Sequence, residues 1–126
     1  MDVISIKDFP GIRIGNAQNI EGGTGCTVIL SESGMCAGLD VRGGGPASRE
    51  SELLKPLANA QTIHAVLLGG GSAFGLDAGG GVMQFLEEKD IGFDVGVTKV
   101  PLVCQSDLFD LTVADPHCRP DTAMGY

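Results

Sequence analysis

The stretch QTIHAVLLGGGSAFGLDAGGGVMQFLEEKD, Gln61–Asp90, decides how the rest of the chain is read. Its apolar run of Ile63, Ala65, Val66, Leu67 and Leu68 is nearly continuous and bounded by turn formers. That pattern predicts a strand over Thr62–Leu68 covered on both faces. Gly69, Gly70 and Gly71 form a turn, and a helix is expected from about Ser72 to Lys89. Ser72 offers an N-capping hydroxyl, while Phe74, Ala78, Val82, Phe85 and Leu86 recur at helical spacing. Gly92 lies where a helix stop belongs. Gly79, Gly80 and Gly81 fall inside the helix, where each costs roughly 1 kcal/mol relative to Ala. The helix backbone is therefore expected to lie close against the sheet or a second helix.

The chain has 126 residues, room for one domain with a real core. With 43% hydrophobic and 19% charged residues and no low-complexity tract, an ordered domain is expected rather than a disordered chain. The formal charge is −8 and the eight Lys and Arg are scattered, so neither nucleic acid nor an anionic membrane is an expected partner. No apolar run approaches the roughly 18 residues of a membrane span, and the N-terminus MDVISIKDFPG lacks a signal-peptide core. The cytoplasm is the expected location. Cys26, Cys36, Cys104 and Cys118 follow no C-x-x-C spacing; free buried thiols are expected over a Cys26–Cys36 bridge across a hairpin. Twenty glycines cluster at 22–23, 43–45, 69–71 and 79–81 between apolar segments, which points to tight turns in a packed α/β domain.

Outward from the centre, FPGIRIGNA (Phe9–Ala17) reads as a Pro-Gly turn and a strand with Ile12 and Ile14 on one face. EGGTG (Glu21–Gly25) turns into a strand at Cys26–Leu30; Ser31–Gly34 is a hairpin turn, and Met35–Val41 the antiparallel partner. Asp40–Ser51 is a loop in which Asp40, Arg42, Arg49 and Glu50 either face a substrate or form an internal ion-pair network, the network being favoured. Ser51–Asn59 holds a turn or two of helix before Pro56 interrupts it. Ile91–Val97 is a strand, continued by Thr98–Val103 beyond a bend at Pro101, and Gln105–Val113 is short extended or helical chain. After a loop at Ala114–Pro120, Asp121 caps a new helix at which the sequence stops, as a fragment of something larger would.

Chemistry is expected first at the GGGSAFG turn. A strand-glycine-helix turn gathers backbone N–H groups where a phosphate, a carboxylate or a developing oxyanion could bind. Gly69 and Gly71 match the G-x-G of a dinucleotide fingerprint, but Phe74 stands where the third glycine belongs and Gly75 follows it. Close helix–sheet packing explains the same glycines equally well. His64 lies within the apolar strand and is expected to be a satisfied core residue; His117 has no partner at metal spacing. No nucleophile can be named from the residues.

Taken in order, FPGIRIGNA, EGGTGCTVIL, GLDVRGGGPASRE, HAVLLGGGSAFGLDAGGGVMQFLEE, IGFDVGVTKVP and RPDTAMGY resemble successive blocks of the DmpA-type peptidases. These include L-aminopeptidase/D-esterases, β-aminopeptidases and aminohexanoate-oligomer hydrolases. The resemblance implies an α/β fold, part of a four-layer α/β/β/α sandwich of the DmpA/ornithine acetyltransferase type. It implies a precursor that cleaves itself before a Ser or Thr, which becomes the N-terminal nucleophile of a second chain. The present chain would be the front of the α-chain, with no catalytic residue of its own. It further implies hydrolysis of small peptides or amino-acid amides, no metal or organic cofactor, and a homo-oligomer assembled with the rest of its own polypeptide. By family position Gly70, Gly71, Ser72 and Phe74 would line the substrate pocket, and Phe109 stands where some members carry a tyrosine near the oxyanion. Two other outcomes remain open: a phosphate- or nucleotide-binding half-domain using Gly69–Gly75, and a truncated remnant without activity.

Overall fold

Strand β4 (Ile63–Gly69) occupies the middle of a five-stranded sheet in the computed structural model, which describes residues 5–126. Around it run β1 (Arg13–Asn19), β2 (Thr24–Met35), β3 (Ala47–Arg49) and β7 (Val103–Asp107), in the order β1-β2-β4-β7-β3. Ile63, Ala65 and Leu67 alternate onto one face and are buried, Ala65 and Leu67 beneath a helix, as period-two patterning requires. The opposite face is only partly covered: His64 is buried, but Leu68 is 48% exposed. Within the described residues the continuous apolar run thus marks a central strand with one face fully covered and the other partly.

β4 pairs antiparallel with β2, from Cys26 opposite Gly69 to Leu30 opposite Ala65. It pairs parallel with β7, from Ala65 opposite Val103 to Gly69 opposite Asp107. A parallel neighbour needs a crossover, and the segment after the glycine turn supplies it. That segment is not one helix. Ser72–Asp77 is a 3₁₀ helix that leads into α1 (Ala78–Glu87). Ser72 does not cap it; Gly71 stands at the N-cap with φ +81°, and Ser72 itself takes φ +53°. Two successive left-handed residues fold the chain back over the strand end, so the Ser72 hydroxyl cannot reach the orphan N–H groups of a following turn. The other end also differs, because α1 ends at Glu87 and Asp90, with φ +56°, reverses the chain before Gly92.

Ala78, Val82 and Leu86, one helical face at i+4 spacing, close the core against Cys26, Leu30, Ala65, Leu67 and Val103. The helix glycines serve close approach on two sides. A side chain at Gly79 would meet the Gln105 amide and Arg49, and one at Gly81 would run into the Thr122 carbonyl and the Tyr126 nitrogen. Those last groups belong to the short helix α2 (Thr122–Gly125), which Asp121 caps by accepting from Met124 N–H at 2.9 Å.

The expected Cys26–Val41 hairpin is absent. β2 runs on through Ser31–Gly34 to Met35, with a register break between Leu30 and Met35, and its partners are β1 and β4. Gly34 at φ +83° and the Ser31 hydroxyl, donating to the Gly34 carbonyl at 3.1 Å, absorb the turn chemistry as an irregularity inside the strand. All four cysteines are free thiols, but only Cys26 and Cys104 are buried as expected; Cys36, just beyond the end of β2, is exposed and Cys118 is partly so. The Ile91–Val97 strand shrinks to β5 (Phe93–Asp94), paired with β6 (Lys99–Val100) in a separate ribbon. Lys99 anchors that ribbon through the carbonyl and carboxylate of Asp90, at 2.9 and 2.6 Å. Ser51–Leu54 forms a single 3₁₀ turn. The four charges of the Asp40–Ser51 loop do not join: Arg42 binds Asp40 on the surface at 2.6 Å, while Arg49 turns to the Met83 sulfur.

Candidate functional site

Because β4 and β7 run parallel, their C-terminal ends lie side by side, and the antiparallel β2 brings its N-terminal end to the same edge. A crevice of about 670 Å³ opens there, with Thr24, Gly70, Ser106, Asp107, Leu108 and Asp110 among its lining residues. Ends of parallel strands are where open α/β sheets place ligands.

The glycine turn at this edge is already occupied. Gly70 N–H donates to the Gly25 carbonyl at 3.0 Å, Gly71 N–H to Asp110 Oδ1 at 2.7 Å, and Ser72 N–H to the Leu108 carbonyl at 3.0 Å. The anion bound by the turn is the chain's own carboxylate, whose second oxygen accepts from the Thr24 hydroxyl at 2.7 Å. These contacts explain the glycines. A Cβ at Gly70 would stand 2.5 Å from Thr24 Oγ1 and against Asp110, and one at Gly69 would stand 2.5 Å from Asp107 Oδ1.

Asp107 is the second carboxylate. Both its oxygens accept from Gln105 Nε2 at 3.0 Å, and the same nitrogen donates to the Gly75 carbonyl at 2.8 Å. Burial pushes the Asp107 pKa above the usual carboxylate value; the Gln105 bond pulls it back, the charge of Asp110 raises it, and a backbone bond from Gly69 lowers it. A carboxyl whose pKa is raised by folding stabilises the fold fully below its unfolded pKa. That contribution falls away as pH rises through the folded value. Asp107→Asn is therefore expected to flatten the decline in stability with rising pH just above the ordinary carboxylate range. Urea midpoints measured across that range, wild type against variant, check it.

Among the residues expected at a pocket, Gly70 lines the crevice, and Gly71 reaches it through its N–H on Asp110. Ser72 and Phe74 are not among the lining residues; Phe74 is 61% exposed, with the Arg119 guanidinium 3.9 Å above its ring. Phe109 projects to solvent between Leu108 and Asp110, which do line the crevice. His64 is a satisfied core residue: it is buried, its Nδ1 accepts from Leu102 N–H at 3.1 Å, and burial lowers its pKa. Thr24, Asp107 and Asp110 were not singled out by the sequence, although two acids three residues apart just beyond Pro101–Val103 were a visible signal. Among the described residues, no group of three His, Cys, Asp or Glu could hold a metal ion, and no helix is long and apolar enough to cross a membrane.

A mixed sheet with few helices, and a carboxylate-lined crevice at the ends of its parallel strands, defines an α/β protein. The chain belongs to peptidase family S58, whose model matches residues 5–123. It is 42% identical over 130 residues to an uncharacterized aminopeptidase of Mycobacterium leprae, covering 97% of this chain and 36% of that protein. An uncharacterized aminopeptidase of Mycobacterium tuberculosis is 42% identical over 132 residues, covering 97% of this chain and 38% of its own length. A 6-aminohexanoate-oligomer endohydrolase of a Kocuria species is 34% identical over 119 residues, covering 94% of this chain and 31% of that protein. The chain thus spans about a third of the length of these relatives.

Proposed function

We propose that this chain is part of a self-processing N-terminal-nucleophile aminopeptidase or amidohydrolase acting on small peptides or amino-acid amides. The observation that carries the reading is the pair of carboxylates, Asp107 and Asp110, on the lining of the strand-end crevice. Such a wall suits the ammonium group that distinguishes an aminopeptidase substrate or an amino-terminated oligomer. The nucleophile would stand on a segment outside Met1–Tyr126, freed by self-cleavage before a Ser or Thr. Its hydroxyl adds to the amide carbonyl while its own α-amino group takes the proton; the amine then leaves with that proton, and water hydrolyses the resulting ester. In this reading the half-exposed sheet face bearing Val66 and Leu68 packs on a second sheet of a four-layer sandwich, in a cytoplasmic homo-oligomer that is inactive without its remaining segments.

The geometry weighs against the phosphate-binding alternative. All three N–H groups of the Gly70–Ser72 turn have internal acceptors, and the Asp110 charge at the turn repels a phosphate.

The test uses the product of the complete gene. Intact mass under denaturing conditions should show two polypeptides, the smaller beginning with Ser or Thr; one uncleaved species would overturn self-processing. Asp107→Asn in that protein should raise KM for an aminoacyl anilide roughly tenfold, leave kcat less affected, and spare an N-acetylated substrate. An unchanged KM would remove the ammonium site.

A further inference from the structure

The Gln105 amide is 3% exposed, and its orientation is decided by its donors. One hydrogen of Nε2 goes to the Gly75 carbonyl and the other is shared by the two Asp107 oxygens. Turning the amide over would aim Oε1 at a carbonyl and a carboxylate, acceptor against acceptors. In the orientation observed, Oε1 is buried and has no hydrogen-bond partner among the described residues. An orphaned buried acceptor is costly, and in native proteins it normally finds a donor.

A candidate donor, not bonded to Oε1 in the geometry observed, stands on the neighbouring strand. Arg49 is the register partner of Gln105 across the β3–β7 pair. The bare Cα of Gly79 faces both side chains: a Cβ there would lie 2.5 Å from Gln105 Oε1 and 3.1 Å from both Cδ and Nη1 of Arg49. The guanidinium spends Nη2 on the Met83 sulfur at 2.8 Å, a weak acceptor, and has donors left over. We propose that Arg49 is a positioning residue whose guanidinium donates to Gln105 Oε1, holding the amide with Nε2 on Asp107 and so fixing that carboxylate at the crevice. The role of Asp107 in binding the substrate ammonium is taken from the proposed function; the Arg49–Gln105–Asp107 chain of contacts is separate from it. The glycine at position 79 belongs to the same device, since any side chain there would occupy the space in which Arg49 and Gln105 meet.

The experiment compares wild type, Arg49→Met and Arg49→Lys of the complete gene product. Carbon-13 carboxyl titration of Asp107, which is faced by Asp110, the Gln105 amide and the Cys26 thiol, should move to higher pH in Arg49→Met. There the amide is free to turn its donors away. In Arg49→Lys, which keeps a donor, the titration should lie nearer wild type. KM for an aminoacyl anilide should rise about three- to tenfold in Arg49→Met with kcat less changed, and an N-acetylated substrate should not register the substitution. An Asp107 titration identical in wild type and Arg49→Met overturns the proposal. If Asp107→Asn leaves KM unchanged while Arg49→Met still moves the Asp107 titration, the ammonium reading fails and the positioning role stands. Should Arg49→Met not fold, a crystal structure of the wild-type protein decides: Nη1 within about 3.2 Å of Oε1 is expected, and a guanidinium turned away with water on Oε1 overturns the assignment.

Discussion

Gly81→Ala is expected to destabilise the fold by about 2–4 kcal/mol, although the helix alone would gain roughly 1 kcal/mol from the exchange. The added methyl points into backbone, the Thr122 carbonyl and the Tyr126 nitrogen, and backbone cannot swing aside as a side-chain tip can. Relief requires α2 to lift from α1. That separation breaks the bonds from Thr122 N–H and Oγ1 to the Asp77 carboxylate, at 3.0 and 3.1 Å. It also breaks the edge-to-face contact of Phe85 with Tyr126 and the Tyr126 hydroxyl's bond to Glu88 at 2.7 Å. Gly80→Ala is the control. Its Cβ would meet only Thr122 Oγ1, at 3.6 Å, so the propensity gain of up to about 1 kcal/mol should survive. Urea unfolding of the two variants should therefore move in opposite directions from wild type. Equal midpoints would mean that α2 does not dock on α1 as described.

Asp110→Ala should cost about 2–3 kcal/mol, more than a partly exposed carboxylate ordinarily does. It leaves the buried Gly71 N–H without its acceptor and the Thr24 hydroxyl without its partner, unpinning the glycine turn from the start of β2. Asp110→Asn keeps an acceptor for Gly71 and also removes a negative charge that raises the Asp107 pKa. It should therefore lose much less stability, and it should lower the Asp107 pKa. Thermal melts of the two variants, with hydrogen exchange at the Gly71 amide, separate the bond from the charge. Amide protection unchanged in Asp110→Ala would show that Asp110 does not hold the turn.

The central unit was legible because local signals agreed: an apolar run, three glycines and a helical repeat follow one another without a gap between residues 63 and 87. Asp121 as a cap and His64 as a core residue were legible for the same reason, each resting on its immediate neighbours. The 31–34 stretch misled because Ser-Glu-Ser-Gly is turn chemistry in isolation, whereas β2 pairs with β4 on both sides of it, at Leu30 and again at Met35, and so carries it as an irregularity within the strand. Ser72 misled because a cap assignment presumes extended backbone, and φ +53° was set by the reversal over the strand end. The carboxylate crevice lay beyond local patterning. Thr24, Gly71 and Asp110 converge only once the strand order is known, and nothing in the local sequence says that residue 24 and residue 110 share an edge.

The three-residue edge strand β3 has a kinetic consequence. β1 and β2 are joined by a short turn and can zip as a local hairpin, but Ser48 must find Ser106 across a loop containing all of β4 and α1. A short pairing closed over a long loop returns little free energy for the chain entropy it removes, so it gains most when β4 and β7 are already in place. Arg49 and Gln105 meet across that pairing. The Arg49–Gln105 bond proposed above would thus form late in folding, after the scaffold around it.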